Sequence, residues 1–122
     1  MASNCTPRIR TVAPMSYLPF LGLIARARLV LTDSGGIQEE TTCLGIPCLT
    51  MRPNTERPIT CEIGTNVLVG TDPQRIVQEA NSILDGNTRP SGIPEKWDGH
   101  AAERIVEVLL NQPAQAACLT CA

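Results

Sequence analysis

Aromatic side chains are nearly absent: Tyr17, Phe20 and Trp97 make up 2% of 122 residues. Aliphatic packing therefore has to build whatever core exists. Histidine occurs once, as His100, with no visible acid or nucleophile partner nearby in sequence, so a helix-start surface residue is expected there rather than a catalytic base. No apolar run approaches the ~20 residues that span a bilayer, and the opening MASNCTPRIR lacks the apolar segment of a secretory signal. The expected compartment is the cytoplasm. Basic residues do not cluster and the formal charge is −2, which leaves no electrostatic footprint for nucleic acid or an anionic membrane. Metal-ligand clusters, a nucleophile elbow and a Walker loop are all missing, so neither a metal nor a cofactor is expected.

What is present suits a small globular domain. The chain is 43% hydrophobic and 18% charged, and at this length it can bury roughly two-thirds of the surface its unfolded form exposes. Cys5, Cys43, Cys48, Cys61, Cys118 and Cys121 read as thiols in a reducing cytosol. Cys118 and Cys121 form a C-x-x-C, but without a second pair at zinc-finger spacing or an adjoining βα pattern.

Residues 1–14 lack periodicity and contain Pro7 and Pro14, as an irregular lead-in would. Tyr17, Phe20, Leu21 and Ile24 then follow helical spacing, with Arg26 and Arg28 placed to suit the negative end of the helix dipole. Leu29 to Thr32 is apolar without alternation, as in a parallel strand covered on both faces. After the turn Asp33-Ser34-Gly35-Gly36, the residues Ile37, Thr41 and Leu44 predict the inner face of a helix stopped by Gly45 and Pro47. Cys48 to Met51 reads as a second buried strand. Arg52 to Gly64 is a loop with one helical turn after Asn54, and Val67 to Val69 is a third strand. Asp72 and Pro73 open a helix carrying Ile76, Val77, Ala80, Ile83 and Leu84. A final helix bears Ala102, Ile105, Val106 and Leu109, and residues 112–122 form a flexible tail. The fold class is therefore α/β, with about three parallel strands and flanking helices over residues 15–111, a partial Rossmann-like sheet.

The chemistry concentrates where the first strand gives way to its helix. Ligands bind at that edge of open α/β sheets. Gly35 and Gly36 would let a phosphate approach the backbone, free amides of the first helical turn point at it, and the Ser34 hydroxyl adds a donor. A diphosphate is the natural guest. A purely structural turn uses the same residue types, so Glu40 matters: one turn further on, its carboxylate can accept from both hydroxyls of a ribose. The dipole alone would favour an acid there, as at Glu39. Arg57, in the loop after the second strand, faces the same crevice with a guanidinium that matches phosphate geometry; a bland alternative pairs it with Glu56.

The stretch from Leu31 to Gly70, LTDSGGIQEETTCLGIPCLTMRPNTERPITCEIGTNVLVG, closely resembles the C-terminal domain of the non-hydrolysing UDP-N-acetylglucosamine 2-epimerases, and the likeness runs from about Tyr17 to about Val108. DSGG-x-QEE at Asp33 to Glu40, LG-x-P at Leu44 to Pro47 and TERP at Thr55 to Pro58 carry most of it. The resemblance implies that Ser34, Gly35 and Gly36 hold the UDP phosphates, that Glu40 takes the ribose hydroxyls, and that Arg57 approaches the nucleotide. It also places Phe20 where the family holds uracil through backbone atoms of an aromatic residue. The family interconverts UDP-N-acetylglucosamine and UDP-N-acetylmannosamine by anti elimination and re-addition of UDP.

By the same resemblance, the chain corresponds to the second half of the C-terminal domain of a two-domain, GT-B-type fold, and the acid/base carboxylates and histidine lie upstream of it. A binding role for UDP-N-acetylglucosamine through its UDP moiety is therefore expected, with no catalytic residue in this chain. The expected protein partner is a further copy of the chain, as a homo-oligomer, or a complementing N-terminal chain. Two other readings stay open: part of a GT-B-type glycosyltransferase, or a non-enzymatic UDP-sugar-binding or assembly module.

Overall fold

Short apolar runs separated by helical stretches pair in parallel, and this sets the architecture in the computed structural model, which describes residues 8–111. The elements are α1 (Tyr17–Ile24), β1 (Val30–Thr32), α2 (Gly35–Leu44), β2 (Cys48–Thr50), α3 (Pro58–Glu62), β3 (Asn66–Leu68), α4 (Pro73–Leu84) and α5 (Ala101–Asn111). The sheet has three strands in the order β1-β2-β3, all parallel, with Thr32, Thr50 and Leu68 level at their C-terminal ends. The expected α/β class is what the chain adopts. Residues 8–16 hold no helix or strand, and the expected tail at 112–122 and the Cys118/Cys121 pair lie outside the described residues.

Central strand β2 is buried along its whole length, as a parallel strand flanked on both sides should be. The core is small: Ile24, Cys48, Leu49 and Val69 are its buried hydrophobic members. Threonines, Gln38 and Asn66 fill much of the remaining interior, so this core is polar enough that hydrogen bonding has to complete it.

Several sequence expectations are corrected. The helical turn after Asn54 forms four residues later, as α3, where Pro58 occupies the first helical position; a fixed φ and a missing N–H suit that position. The third strand starts and ends one residue earlier than expected, at Asn66 and Leu68, although Val69 still donates to the Thr50 carbonyl at 3.0 Å. The inner face of α2 is Gln38, Thr41 and Thr42, while Leu44 is 40% exposed. Thr41 can be buried because its hydroxyl bonds back to the Ile37 carbonyl at 2.8 Å. Finally, α1 ends at Ile24 with no basic residue in its last turn. Arg28 instead donates to the carbonyl of Leu84, the last residue of α4, at 2.7 Å, so its charge serves the C-terminus of a different helix.

Two helices behave differently at their edges. α4 is capped as the sequence implies, with the Asp72 carboxylate accepting from the Gln74 amide at 3.0 Å and Pro73 at the first position. On α5 the expected stripe exists, but Ile105, Val106 and Leu109 are all exposed.

Candidate functional site

All three strands point the same way, so the segments that follow them gather at one edge of the sheet: the turn at Asp33 and Ser34, the loop from Met51 to Arg57, and Val69 to Asp72. The turn is shaped locally. Ser34 is extended (φ −84°, ψ 130°) and its amide donates to the Thr32 hydroxyl at 3.0 Å. Ser34 occupies the N-cap position of α2, yet its own hydroxyl makes no capping bond and no acidic residue stands in the first helical turn. The first amides of α2 are therefore left without side-chain acceptors from the cap.

The glycines at that turn differ from five others in the chain, and Gly22 and Gly92, which share their ordinary φ and open surroundings, lie away from the strand-to-helix edge. Gly45, Gly70, Gly86 and Gly99 adopt positive φ, and Gly64 is wedged where a Cβ would lie 2.5 Å from the Thr42 hydroxyl and 2.6 Å from the Thr60 carbonyl. Neither reason applies to Gly35 and Gly36. A side chain at Gly35 would meet nothing within 4 Å, and one at Gly36 only the Ser34 hydroxyl at 4.0 Å. Glycine inside a helix costs about 0.5–1 kcal/mol relative to alanine. The fold itself gives no return for that cost at these two positions.

Glu40 stands one turn above Gly36 on the same face of α2, and Glu39 one turn above Gly35. Arg57 reaches this helix: its Nε lies 2.8 Å from Glu39 Oε1. The simple alternative of an Arg57–Glu56 ion pair is not what forms; Glu56 pairs with Arg52 at 3.4 Å, and Arg57 only donates to the Glu56 carbonyl. Both partners of the Arg57–Glu39 pair are substantially exposed, so the pair counts here for geometry rather than stability. It shows that the loop after β2 folds back against the start of α2. Phe20, on α1, is half-buried and lines an apolar hollow with Leu31 and Ile37, the residue that follows the two glycines in sequence.

Beneath this edge lies a polar network that motif reading missed. Gln38 Oε1 accepts from the Thr55 hydroxyl at 2.6 Å and from Asn66 Nδ2 at 3.1 Å. Asn66 Oδ1 accepts from the Thr50 hydroxyl at 2.6 Å, and Asn66 Nδ2 also donates to the Thr60 hydroxyl at 3.2 Å. The available signal was the polar triplet Gln38, Thr41 and Thr42 at i, i+3 and i+4, which is as helical as any apolar stripe.

Elsewhere the chemistry is bland. Among the described residues, no group of three or more His, Cys, Asp or Glu could hold a metal ion, and no helix is long and apolar enough to cross a membrane. Cys43, Cys48 and Cys61 are free thiols, and burial pushes the Cys48 thiol up, away from reactive thiolate. His100 does have a partner, Glu103 Oε2 at 3.0 Å, but both are exposed, His100 just before α5 and Glu103 in its first turn.

The sequence profile of the UDP-N-acetylglucosamine 2-epimerase family matches residues 1–110. The UDP-N-acetylglucosamine 2-epimerase of Escherichia coli K12 is 47% identical over 104 residues, which is 82% of this chain and 28% of that protein. The structure of the Methanocaldococcus jannaschii UDP-GlcNAc 2-epimerase in complex with UDP-GlcNAc and UDP superposes with a TM-score of 0.70 at 40% identity, covering 83% of this chain and 27% of that one. The Neisseria meningitidis UDP-GlcNAc 2-epimerase bound to UDP-GlcNAc gives a TM-score of 0.65 at 38% identity, covering 83% and 29%. The chain thus spans under a third of the length of these relatives.

Proposed function

The chain belongs to the UDP-N-acetylglucosamine 2-epimerase family, and from that premise we propose that it supplies part of the nucleotide-sugar site of such an enzyme, receiving the diphosphate of UDP at the Ser34-Gly35-Gly36 turn. One observation carries the reading. Gly35 and Gly36 have no reason within the chain to be glycine, and the space where their side chains would stand is open. A phosphate that needs close approach to main-chain amides is such a reason.

In this reading the amides of the first turn of α2 and the Ser34 hydroxyl donate to phosphate oxygens. Glu40, one turn further along, accepts from ribose hydroxyls, and Phe20 borders the base. Arg57 turns from Glu39 toward the diphosphate, where a guanidinium fork offers paired donors. These groups would stabilise the charge that gathers on UDP as its bond to the sugar C1 breaks, an electrostatic role. The free thiols of Cys43, Cys48 and Cys61 fit a reducing, cytoplasmic setting.

No described residue is assigned to proton exchange at the sugar C2. Binding without turnover is the expected behaviour of residues 1–122 by themselves, with turnover appearing where acid/base groups are supplied to the site. Calorimetric titration with UDP tests the site. Weak binding is expected, falling at least about tenfold in both Glu40→Ala and Arg57→Ala, since each removes a charge-assisted contact. Binding that survives both substitutions would put the site elsewhere, and UDP-N-acetylmannosamine made by the purified chain would refute the division of labour.

A further inference from the structure

Arg57 is held at every polar atom of its backbone. Its amide donates to the Thr55 hydroxyl at 2.9 Å, and its carbonyl accepts from the Thr60 hydroxyl at 2.7 Å. The Thr55 hydroxyl spends its own proton on Gln38 Oε1, while the Thr60 hydroxyl accepts from Asn66 Nδ2, which also donates to Gln38 Oε1. The bonds close a ring through Gln38, Thr55, Arg57, Thr60 and Asn66. Each hydroxyl donates once and accepts once, so the direction of every bond is fixed.

Gln38 is the member of this ring that belongs to α2, and it is fully buried at 0% exposure. Its neighbour Glu39 meets the Arg57 guanidinium on the outside of the same helix. Consecutive residues of α2 therefore hold Arg57 from two sides, one by the backbone and one by the side chain. Packing alone does not favour glutamine here. Among the described residues its Nε2 has no hydrogen-bond partner, and a buried donor left unpaired is unfavourable. What glutamine supplies is one acceptor that joins the loop to the helix.

We propose that Gln38 is a positioning residue for the nucleoside diphosphate, acting through Arg57: its carboxamide oxygen fixes the loop after β2 so that the guanidinium stands over the glycine turn. The proposal rests on the reading of that turn as the UDP site. It requires Gln38 and Arg57 to be coupled, because a residue that works only through Arg57 has nothing left to lose once the guanidinium is gone.

The experiment is a double-mutant cycle on the full chain, read by calorimetric titration with UDP. Gln38→Met keeps length and removes both acceptor contacts. Thr55→Val, at a half-buried position of the loop, breaks the same link from the loop side, and carries the measurement if Gln38→Met fails to fold. Either substitution is expected to weaken UDP binding by about tenfold in the unmodified chain and by less than about twofold in an Arg57→Ala background. Equal factors in both backgrounds would overturn the proposal.

Hydrogen exchange separates this from failure of the site itself. If the unmodified chain takes up no UDP, the functional reading falls, and the positioning claim is judged on the Arg57 amide. Faster exchange there in Gln38→Met, with the Met51 and Val69 amides of the sheet edge unchanged, upholds the clamp. Unchanged exchange at Arg57, or loosening of all three alike, shows Gln38 to be ordinary interior packing.

Discussion

Helices α2 and α5 invert the usual relation between pattern and burial. α2 carries no clean apolar stripe, yet Gln38, Thr41 and Thr42 are buried and the helix packs against all three strands and α3. α5 has a clear stripe, yet Ile105, Val106 and Leu109 are 59%, 52% and 64% exposed. Amphipathic spacing measures what a helix could bury against an apolar partner. Actual burial also depends on where the chain places the helix, and on whether its polar groups find partners when buried. α2 is threaded between β1 and β2 by short connections, and there the Thr41 hydroxyl and the Gln38 carboxamide oxygen find partners, whereas Gln38 Nε2 and the Thr42 hydroxyl do not. The contrast teaches that the interior under the candidate site is specified by hydrogen bonds more than by hydrophobic area.

The strongest challenge to that account is at Gly64. Its missing side chain lets α2 approach the α3–β3 connection, and an added Cβ would meet the Thr60 carbonyl at 2.6 Å and the Thr42 side chain at 2.5 and 2.6 Å. A backbone carbonyl cannot swing aside as a flexible side chain can. Gly64→Ala is expected to cost about 2–3 kcal/mol of stability by urea denaturation, the range for an overpacked interior. A loss below about 0.5 kcal/mol would mean that α2 is not tightly seated, and the comparison with α5 would lose its basis.

The same contrast explains what could be read from residues alone. Strand-to-helix alternation, the Asp72-Pro73 start of α4 and the turn after β1 rest on local rules of period and capping, and these elements form at or within a residue of their expected places. The inner face of α2 was not legible from apolar spacing, because Gln38 is interior only by virtue of Thr55 and Asn66, 17 and 28 residues away. Nor could the sequence assign Arg57 to Glu39 over the adjacent Glu56, since that choice depends on how the loop folds back. The candidate site was legible as a set of residue types, whereas the ring beneath it is a product of tertiary contact.

A smaller effect sharpens the other half of the comparison. Ile105→Ser with Leu109→Ser should change unfolding free energy by less than about 0.5 kcal/mol, as for surface positions generally. The matching pair on α4, Ile76→Ser with Ile83→Ser, removes half-buried side chains and should cost about 2 kcal/mol in total. Both pairs are read by the same denaturant titration. If the α5 pair costs as much as the α4 pair, the stripe is covered in solution, and a concentration-dependent midpoint would identify the cover as another copy of the chain.

The smallest expected effect is local to the start of α5. There the Asp98 carboxylate accepts from the His100 amide at 3.0 Å and pairs with the Arg104 guanidinium. The Arg104 hydrogen bond and then the His100 amide hold the Asp98 carboxyl below its ordinary value. A folded value below the unfolded one gives a stabilisation that is complete above the unfolded value, about 3.9, and is lost as pH falls through the folded value. Acidification below about pH 4 should therefore fray the first turn of α5, seen as moving amide resonances at residues 101–104, and Asp98→Asn should remove that dependence. Because the Asp98 side chain is about half exposed and its partners lie at the start of α5, the change should stay out of the sheet, leaving the Met51 and Val69 amides in place. Sheet amides that moved with the α5 resonances would show that α5 is coupled to the core after all, and that its exposed stripe does not mark it as an independent element.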